Sequence, residues 1–90
     1  MKTLYLPLKS EYFDAIKSGE KKYEYRLVTP FWVKRIEGKT FDRIMLTRGY
    51  PKKTDLTRRC ERFWRGCDRI KIKHKHFGDK EVEVFAIRVN

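Results

Sequence analysis

The chain has 90 residues, of which 40% are hydrophobic, 39% charged and 14% aromatic. This aromatic content excludes a disordered tail, and no apolar run approaches the roughly 20 residues that a membrane span needs. The length suits one domain over residues 1–90. The N-terminal segment has no small-residue cleavage site, so we expect it to be part of the fold rather than a signal peptide.

Positive charge is the dominant feature of the composition. Lys and Arg number 23 against 12 Asp and Glu, which gives a net charge of +11. The segment from Arg48 to Lys75 holds 11 basic residues and only three acidic ones. This excess predicts a polyanionic partner; nucleic acid is preferred over a merely solvated surface because aromatic residues lie among the charges. The two cysteines, Cys60 and Cys67, are too few for a disulfide scaffold and favour a reducing, cytoplasmic setting.

The first third of the chain alternates strand and helix patterns. Residues 3–8 alternate apolar and polar side chains, which predicts a half-buried strand with its leucines inward. Ser10 is a candidate N-cap for the helix that follows, and Gly19 is the signal for its end. Residues 22–28 alternate again and predict a second strand.

A second helix and a third strand follow. Thr29 and Pro30 are typical of an N-cap and first helical turn, and predict a short helix that ends at Gly38. Residues 41–48 predict a third strand, and the glycine, proline and polar residues of 49–55 predict a surface loop.

The remaining residues, 56–90, are strand-like and are broken into three pieces by Gly66 and residues 77–80. Residues 69–73 alternate, which predicts one buried face opposite a face of lysines. Residues 82–89 are apolar on both faces, so this strand is either covered on both sides or bulged. About six strands and two short helices predict an α+β fold whose curved sheet closes into a small β-barrel.

The segment from Gly19 to Arg26 concentrates charges between the first helix and the second strand. Glu24 and Arg26 project from one strand face, and Lys21 precedes them on the turn. The simplest interpretation of this pattern is a helix end followed by an exposed strand with surface charges, because short charged turns are common. A convergent binding site is the alternative.

At these positions the chain resembles a known family. Gly19-x-Lys21-x-x-Glu24-x-Arg26 matches the GxKxxExR motif of the ASCH domain (activating signal cointegrator homology), and it follows the first strand and helix as in that family. The chain looks like the short, single-domain form, and the resemblance covers nearly its whole length. The further matches are Leu6-Pro7-Leu8-Lys9, Tyr12-Phe13-x-x-Ile16, Thr29-Pro30-Phe31-Trp32, Thr47-Arg48-Gly49-Tyr50-Pro51, Trp64-Arg65-Gly66 and Val84-Phe85-Ala86-Ile87.

The resemblance implies a β-barrel similar to the PUA fold, an RNA-binding architecture, with a cleft lined by the motif residues that takes RNA or a nucleoside-like ligand. Some members cleave RNA, and others are amidohydrolases that remove an acyl group from N4 of modified cytidine. These amidohydrolases use the motif lysine, a threonine three residues later and a more distant glutamate. Lys21 matches, but Glu24 stands at the threonine position, which puts that mechanism in doubt here. The distant glutamate stays open among Glu61, Glu81 and Glu83.

The three charged motif residues allow two interpretations. In a binding site, Lys21 and Glu24 form an ion pair at the cleft, and Arg26 holds a phosphate or carbonyl with its planar guanidinium. In a catalytic site, Glu24 activates water as a general base, and Lys21 stabilises the developing oxyanion. Binding is preferred, because a carboxylate beside two cations is a weak base.

Further ligand contacts are expected from the basic part of the chain. Tyr50 lies on the loop after the third strand, where it can reach the mouth of the cleft, and Arg48 belongs to the basic segment that is expected to contact phosphates. Trp64 stands beside Arg65 and can stack on a base, although a place in the core is the commoner use of a tryptophan.

Metal and cofactor sites are not expected. Neither the His74/His76 pair nor the Cys60/Cys67 pair has the spacing typical of zinc ligands. A cysteine–histidine nucleophile pair lacks an orienting third group in the sequence. A phosphate-cradling glycine loop is also missing from the sequence, which argues against nucleoside triphosphate hydrolysis.

Three classes of function follow. The leading prediction is a module that binds single-stranded RNA or a nucleotide, with residues 48–75 supplying phosphate contacts and the motif residues supplying selectivity. The second is a small hydrolase that acts on an acylated cytidine or on RNA in the same cleft. The third is a protein–protein adaptor that uses an exposed strand edge. A membrane partner is not expected.

Overall fold

The computed structural model describes residues 2–90, apart from the side chain of His76. Within these residues the chain forms two α-helices and six β-strands, an α+β arrangement in which neither helix is long and apolar enough to cross a membrane. Single turns of 3-10 helix occur at Leu56–Arg58 and Lys75–Phe77. The elements in chain order are β1 (Thr3–Leu8), α1 (Ser10–Lys17), β2 (Tyr23–Leu27), α2 (Pro30–Ile36), β3 (Arg43–Arg48), β4 (Arg59–Phe63), β5 (Cys67–Ile72) and β6 (Val82–Arg88).

The six strands form two three-stranded sheets. In the first sheet, β3 lies between β1, to which it is parallel, and β4, to which it is antiparallel. In the second sheet, β6 lies between β2 and β5 and is antiparallel to both. Strand pairing across residues 2–90 therefore does not produce the closed β-barrel that the sequence predicted. Alternation of apolar and polar residues indicates which face of a strand is buried but not which edges pair, so it does not distinguish a barrel from two packed sheets.

Apolar side chains from both sheets and both helices fill one core. β1 and β3 contribute alternate residues, as predicted, and α1 contributes Phe13 and Ile16 from a single stripe. Full burial of a side chain such as Phe13 contributes about 1.5–3 kcal/mol to stability. The buried residues of this core are Leu4, Leu6, Leu8, Phe13, Ile16, Ile36, Ile44, Leu46, Cys60, Phe85, Ile87 and Val89.

β6 is apolar on both faces, and over its middle residues both faces are buried. The four consecutive residues from Val84 to Ile87 are all buried, and β6 pairs without interruption with β2 on one side and β5 on the other. Of the two predicted alternatives, a strand covered on both faces is therefore confirmed, and a bulged strand is not. The prediction of a buried face over residues 69–73 is wrong for part of that face, because Ile70 is 38% exposed. β5 is an edge strand and receives less cover than the strand beside it.

The two helices begin differently. The Thr29 side chain accepts a hydrogen bond from the Trp32 N–H at 3.4 Å, which confirms the predicted N-cap of α2. The predicted N-cap of α1 is wrong by one residue: Ser10 is the first helical residue and Lys9 is the N-cap, without a side-chain capping bond. The Lys9 carbonyl already accepts the N–H of Phe13 at 3.0 Å, so the helical hydrogen bonds start one residue before Ser10.

Candidate functional site

A glycine turn after α1 positions the first residue of the site. Gly19 has a φ of +86°, a left-handed conformation that glycine adopts without a steric penalty. Two residues later, the Lys21 N–H donates to the carbonyl of Ala15 at 2.9 Å, which ties the turn back to α1. The turn therefore delivers the Lys21 side chain to the start of β2.

Lys21, Glu24 and Arg26 form one connected group of charges. Glu24 is only 5% exposed and lies between the two cations. Lys21 Nζ donates to Glu24 Oε1 at 2.8 Å, and Arg26 Nη1 donates to Glu24 Oε2. The ammonium of Lys21 also donates to the carbonyl of Tyr23. These residues thus meet in one place rather than standing apart on an exposed strand face, as the simpler interpretation of the sequence had it.

Arg26 joins the two sheets at this point. Its Nη2 donates to the carbonyl of Pro7 on β1 at 2.8 Å, and its Nη1 also donates to the carbonyl of Tyr25 at 3.1 Å. The guanidinium carbon lies 5.4 Å from the ring centroid of Trp32, a cation–π distance. Arg26 therefore fixes Glu24 from a position that is itself held by β1, β2 and α2.

The charged group lies at a cavity of about 440 Å³, here called the site cavity. Aromatic side chains form much of its wall: Lys21 Nζ lies 5.2 Å from the ring centroid of Tyr25 and 5.6 Å from that of Tyr12. Trp32 comes from the first turn of α2, and Phe77 from the 3-10 turn before β6. The cavity is lined by Pro7, Leu8, Lys9, Tyr12, Lys21, Glu24, Tyr25, Arg26, Leu27, Thr29, Trp32, Tyr50, His74 and Phe77.

The site cavity combines a hydrogen-bonding carboxylate with aromatic walls. A carboxylate has about four acceptor positions, and the two cations use two of those on Glu24, so it can still accept from a ligand N–H. The aromatic walls suit a flat ring. Two cations around one carboxylate leave the group with an excess positive charge, which favours a ligand that also carries negative charge.

Two of the other predicted ligand residues lie at or beside this cavity. Tyr50, on the loop after β3, is 92% exposed and lines the site cavity at its edge. Arg48 lines a neighbouring cavity of about 590 Å³ together with Lys9 and Arg58. Its guanidinium pairs with Asp14 on α1 and lies 5.4 Å from the ring centroid of Phe13.

The other two predicted ligand residues lie elsewhere. Trp64 packs edge-on against Phe41, with ring centroids 5.0 Å apart, and belongs to the periphery of the core. Arg65 lines a separate cavity that it shares with Arg62 and Asn90. Neither residue is among those that line the site cavity, so the structure does not bring them to the motif residues.

Sequence reasoning missed most of the aromatic wall. Alternation along residues 22–28 places Tyr25 on the strand face opposite Glu24 and Arg26, so it does not predict a ring beside Lys21. A usable signal existed for Trp32, because the Thr29 cap fixes the start of α2 and hence where this ring lies. His74 and Phe77 approach the site only through the fold of the β5–β6 connection, for which the local pattern gives no signal.

Metal ligands and reactive thiols are not features of this site. Among the described residues, no group of three or more His, Cys, Asp or Glu side chains could hold a metal ion. The His74/His76 pair cannot be judged in full, since the His76 side chain lies outside the described part. Both cysteines are free thiols, and burial, with Asp68 nearby, raises the pKa of Cys67 from its ordinary value of 9.0 to about 11.

Compared with known proteins, the chain matches no family model, no curated protein and no solved structure. The function of the site cavity therefore has to be inferred from its own geometry and from the motif residues that form it.

Proposed function

We propose that this protein binds a nucleobase of RNA, or of a nucleotide, in the site cavity. The observation that carries the proposal is the buried carboxylate of Glu24, which is fixed by Lys21 and Arg26 at a cavity with aromatic walls. Single-stranded RNA is recognised by stacking of its bases on aromatic side chains and by hydrogen bonds to their edges. The site offers both elements.

The base edge is read by Glu24 in this proposal. A base presents N–H groups on its Watson–Crick edge, and a glutamate that is already oriented accepts them without further ordering. Arg26 and Lys21 hold the carboxylate in one orientation from either side. The cavity volume of about 440 Å³ falls within the range of roughly 300–1,000 Å³ typical of small-molecule sites.

The charge of the chain supports an anionic ligand. The net charge of +11 favours association with a polyanion. Lys9 also lines the site cavity, and Arg48 and Arg58 lie in the cavity next to it. A nucleotide combines the two properties that the site favours, a flat base with N–H donors and a negatively charged phosphate.

We also propose that the chain is a member of the ASCH family with a PUA-like arrangement of strands. The support is the motif Gly19-x-Lys21-x-x-Glu24-x-Arg26, three of whose residues meet at the site cavity, while its glycine makes the turn that leads to them. An experimental structure with a bound nucleoside would test both the strand arrangement and the ligand.

The function is tested by measuring the affinity of the four ribonucleosides and of a short single-stranded RNA by calorimetry. We expect Glu24→Gln to weaken nucleoside binding about 10-fold or more, because a hydrogen bond to a charged acceptor contributes about 1.5–3 kcal/mol. Glu61→Gln is the matched control, since Glu61 pairs with Arg43 away from the cavity. A folded protein that binds neither nucleosides nor RNA would contradict the proposal.

Binding is proposed ahead of hydrolysis because the Lys21 ammonium already donates to two acceptors, Glu24 and the Tyr23 carbonyl. Such a group is suited to orienting its neighbours rather than to removing a proton from a nucleophile. Incubation with N4-acetylcytidine and with labelled RNA, with Lys21→Ala as the comparison, tests the hydrolase alternative. Product that depends on Lys21 would establish an enzyme in place of a binding module.

A further inference from the structure

Three cavities meet around one exposed residue, Tyr50. Pro7 and Tyr50 line all three of them. The first is the site cavity. The second, here called the basic cavity, is lined by Pro7, Leu8, Lys9, Ser10, Arg48, Gly49, Tyr50 and Arg58. The third, here called the tyrosine cavity, is lined by Tyr5, Pro7, Thr47, Tyr50, Pro51, Lys53 and Arg59, with a volume of about 480 Å³.

The basic cavity has the composition of a phosphate site. Lys9, Arg48 and Arg58 contribute three positive charges, and its lining holds no acidic residue among the described ones. The Arg48 side chain is 39% exposed, and its pair with Asp14 engages only the Nη2 of the guanidinium. A guanidinium has five N–H donors, so this side chain can contact a phosphate in addition to Asp14.

The tyrosine cavity has the composition of a second base site. Tyr5 is 62% exposed on the outer face of β1, opposite the leucines that enter the core. Tyr50 and Pro51 add an aromatic ring and an apolar ring, and Arg59 and Lys53 add positive charge at the edge. Aromatic rings beside cations are the usual platform for an unpaired base.

We propose that the three cavities together take a dinucleotide unit of single-stranded RNA. One base enters the site cavity, the linking phosphate lies in the basic cavity, and the second base stacks on Tyr5 in the tyrosine cavity, with Tyr50 between the two bases. This inference rests on the proposed function, because it places the first base against Glu24. It adds that the ligand is a strand rather than a lone nucleoside.

The adjacency of the cavities supports a strand. Pro7, whose carbonyl accepts from Arg26, lines all three cavities, and Tyr5, two residues earlier on β1, lines the tyrosine cavity. The site cavity shares Pro7, Leu8, Lys9 and Tyr50 with the basic cavity, but only Pro7 and Tyr50 with the tyrosine cavity. A base site that adjoins a group of cations and a second aromatic site matches the base–phosphate–base unit of a nucleic-acid chain.

The test compares four classes of probe on the wild-type protein: the ribonucleosides, their 3′-monophosphates, their 5′-monophosphates and the homodinucleotides. We expect a monophosphate to bind more tightly than its nucleoside, and the dinucleotide to bind about 10-fold or more tightly than the better monophosphate, as one additional stacked base provides. A dinucleotide that binds no more tightly than the monophosphate would overturn the inference.

Tyr5→Ala isolates the second base site. We expect it to reduce the affinity for the dinucleotide to that of the monophosphate and to leave the monophosphate affinity unchanged. Phe63→Ala is the matched control, because Phe63 is also an exposed aromatic residue of the first sheet but lines none of the three cavities. An equal loss in both variants, or no loss with Tyr5→Ala, would overturn the assignment of Tyr5.

The two proposals fail in different ways. If nucleosides bind and depend on Glu24 while the dinucleotide gains nothing, the proposed function stands and the strand inference is wrong. If no probe of any class binds to the folded protein, the proposed function itself is wrong and the strand inference falls with it.

Discussion

At the scale of single residues, the buried Glu24 is the feature on which the site depends. The charge pattern predicted that Lys21, Glu24 and Arg26 share one region, but it did not predict that the carboxylate is more buried than either cation. Alternation along a strand usually places charges outward. Here both sheets contribute to the enclosure, through the contact of Arg26 with β1, so burial is a property of the tertiary fold.

We expect Glu24→Gln to lower the free energy of unfolding by about 1–3 kcal/mol, because it leaves two partly buried cations without their shared anion. The loss is smaller than for a fully buried pair, since the Lys21 and Arg26 side chains keep 19% and 15% of their exposure. Urea denaturation measures it. The control Glu61→Gln breaks an exposed ion pair and is expected to change stability by less than about 1 kcal/mol. Equal losses in the two variants would contradict the structural role of Glu24.

The thiol of Cys67 is expected to make the stability of the fold depend on pH. Burial, with Asp68 nearby, raises the pKa of its thiol to about 11, whereas the ordinary pKa of a cysteine in the unfolded chain is 9.0. Between these two pH values the folded protein keeps the thiol proton and the unfolded chain releases it. Ionisation therefore favours the unfolded state, and this contribution destabilises the fold increasingly as the pH rises from about 9 to 11. At pH 8 the thiolate population falls about 100-fold relative to an ordinary cysteine.

Alkylation by iodoacetamide at pH 8, followed by peptide mass spectrometry, measures this difference. We expect Cys67 in the native protein to react about 10-fold more slowly than in the urea-unfolded chain, because the lower thiolate population is partly offset by the greater nucleophilicity of a thiolate of higher pKa. A native rate equal to the unfolded rate would contradict the burial of this thiol.

At the scale of secondary-structure elements, period-two alternation located the early strands well. β1 has the predicted bounds, and the predicted ends of β2 and β3 lie within two residues of the observed ones. The failures have a common cause. The exposure of β5 and the division into two sheets depend on which strand lies next to which, and no local pattern encodes strand neighbours. The 3-10 turns at Leu56–Arg58 and Lys75–Phe77 were not predicted by the strand-like pattern of residues 56–90, and the first of them begins at a local cap, in which the Asp55 side chain accepts from the Thr57 N–H at 3.2 Å.

The two helix starts provide a paired test of capping. Thr29→Ala removes the side-chain acceptor of the Trp32 N–H and is expected to cost about 1 kcal/mol. Ser10→Ala removes no capping bond, because Lys9 is the N-cap of α1, and is expected to change stability by less than about 0.5 kcal/mol. Urea denaturation of both variants measures the difference. A larger loss for Ser10→Ala than for Thr29→Ala would contradict the observed helix starts.

At the scale of the whole molecule, a minority of the positive charges are already paired with carboxylates within the described residues. Arg43, Arg58 and Arg69 contact carboxylates on the surface, whereas within the described residues Lys52, Lys53 and Lys71 form no ion pair. The net charge predicted a polyanionic partner, but the composition alone does not indicate which cations are available to bind that partner. The motif residues Lys21, Glu24 and Arg26 meet at the site cavity, and only the folded chain shows which aromatic residues accompany them.

Salt dependence distinguishes a specific phosphate contact from general attraction. We expect Lys9, Arg48 and Arg58 to contact the phosphates of a short single-stranded RNA. Each phosphate contact with a single strand contributes about −0.7 to the slope of the logarithm of the association constant against the logarithm of the salt concentration. Three contacts therefore predict a slope of about −2. Fluorescence anisotropy at several salt concentrations measures this slope. Arg48→Gln should make it shallower by about 0.7.

Lys71→Gln is the control for net charge, because it removes one positive charge from an exposed residue of β5 that lines none of the three cavities. If Arg48→Gln and Lys71→Gln changed the slope equally, the RNA would respond to the total charge of the protein and not to the basic cavity. If only Arg48→Gln changes the slope, the phosphate lies beside the site cavity. The slope counts the counterions that are released where cations contact phosphates, and it responds little to charges that lie farther from the RNA.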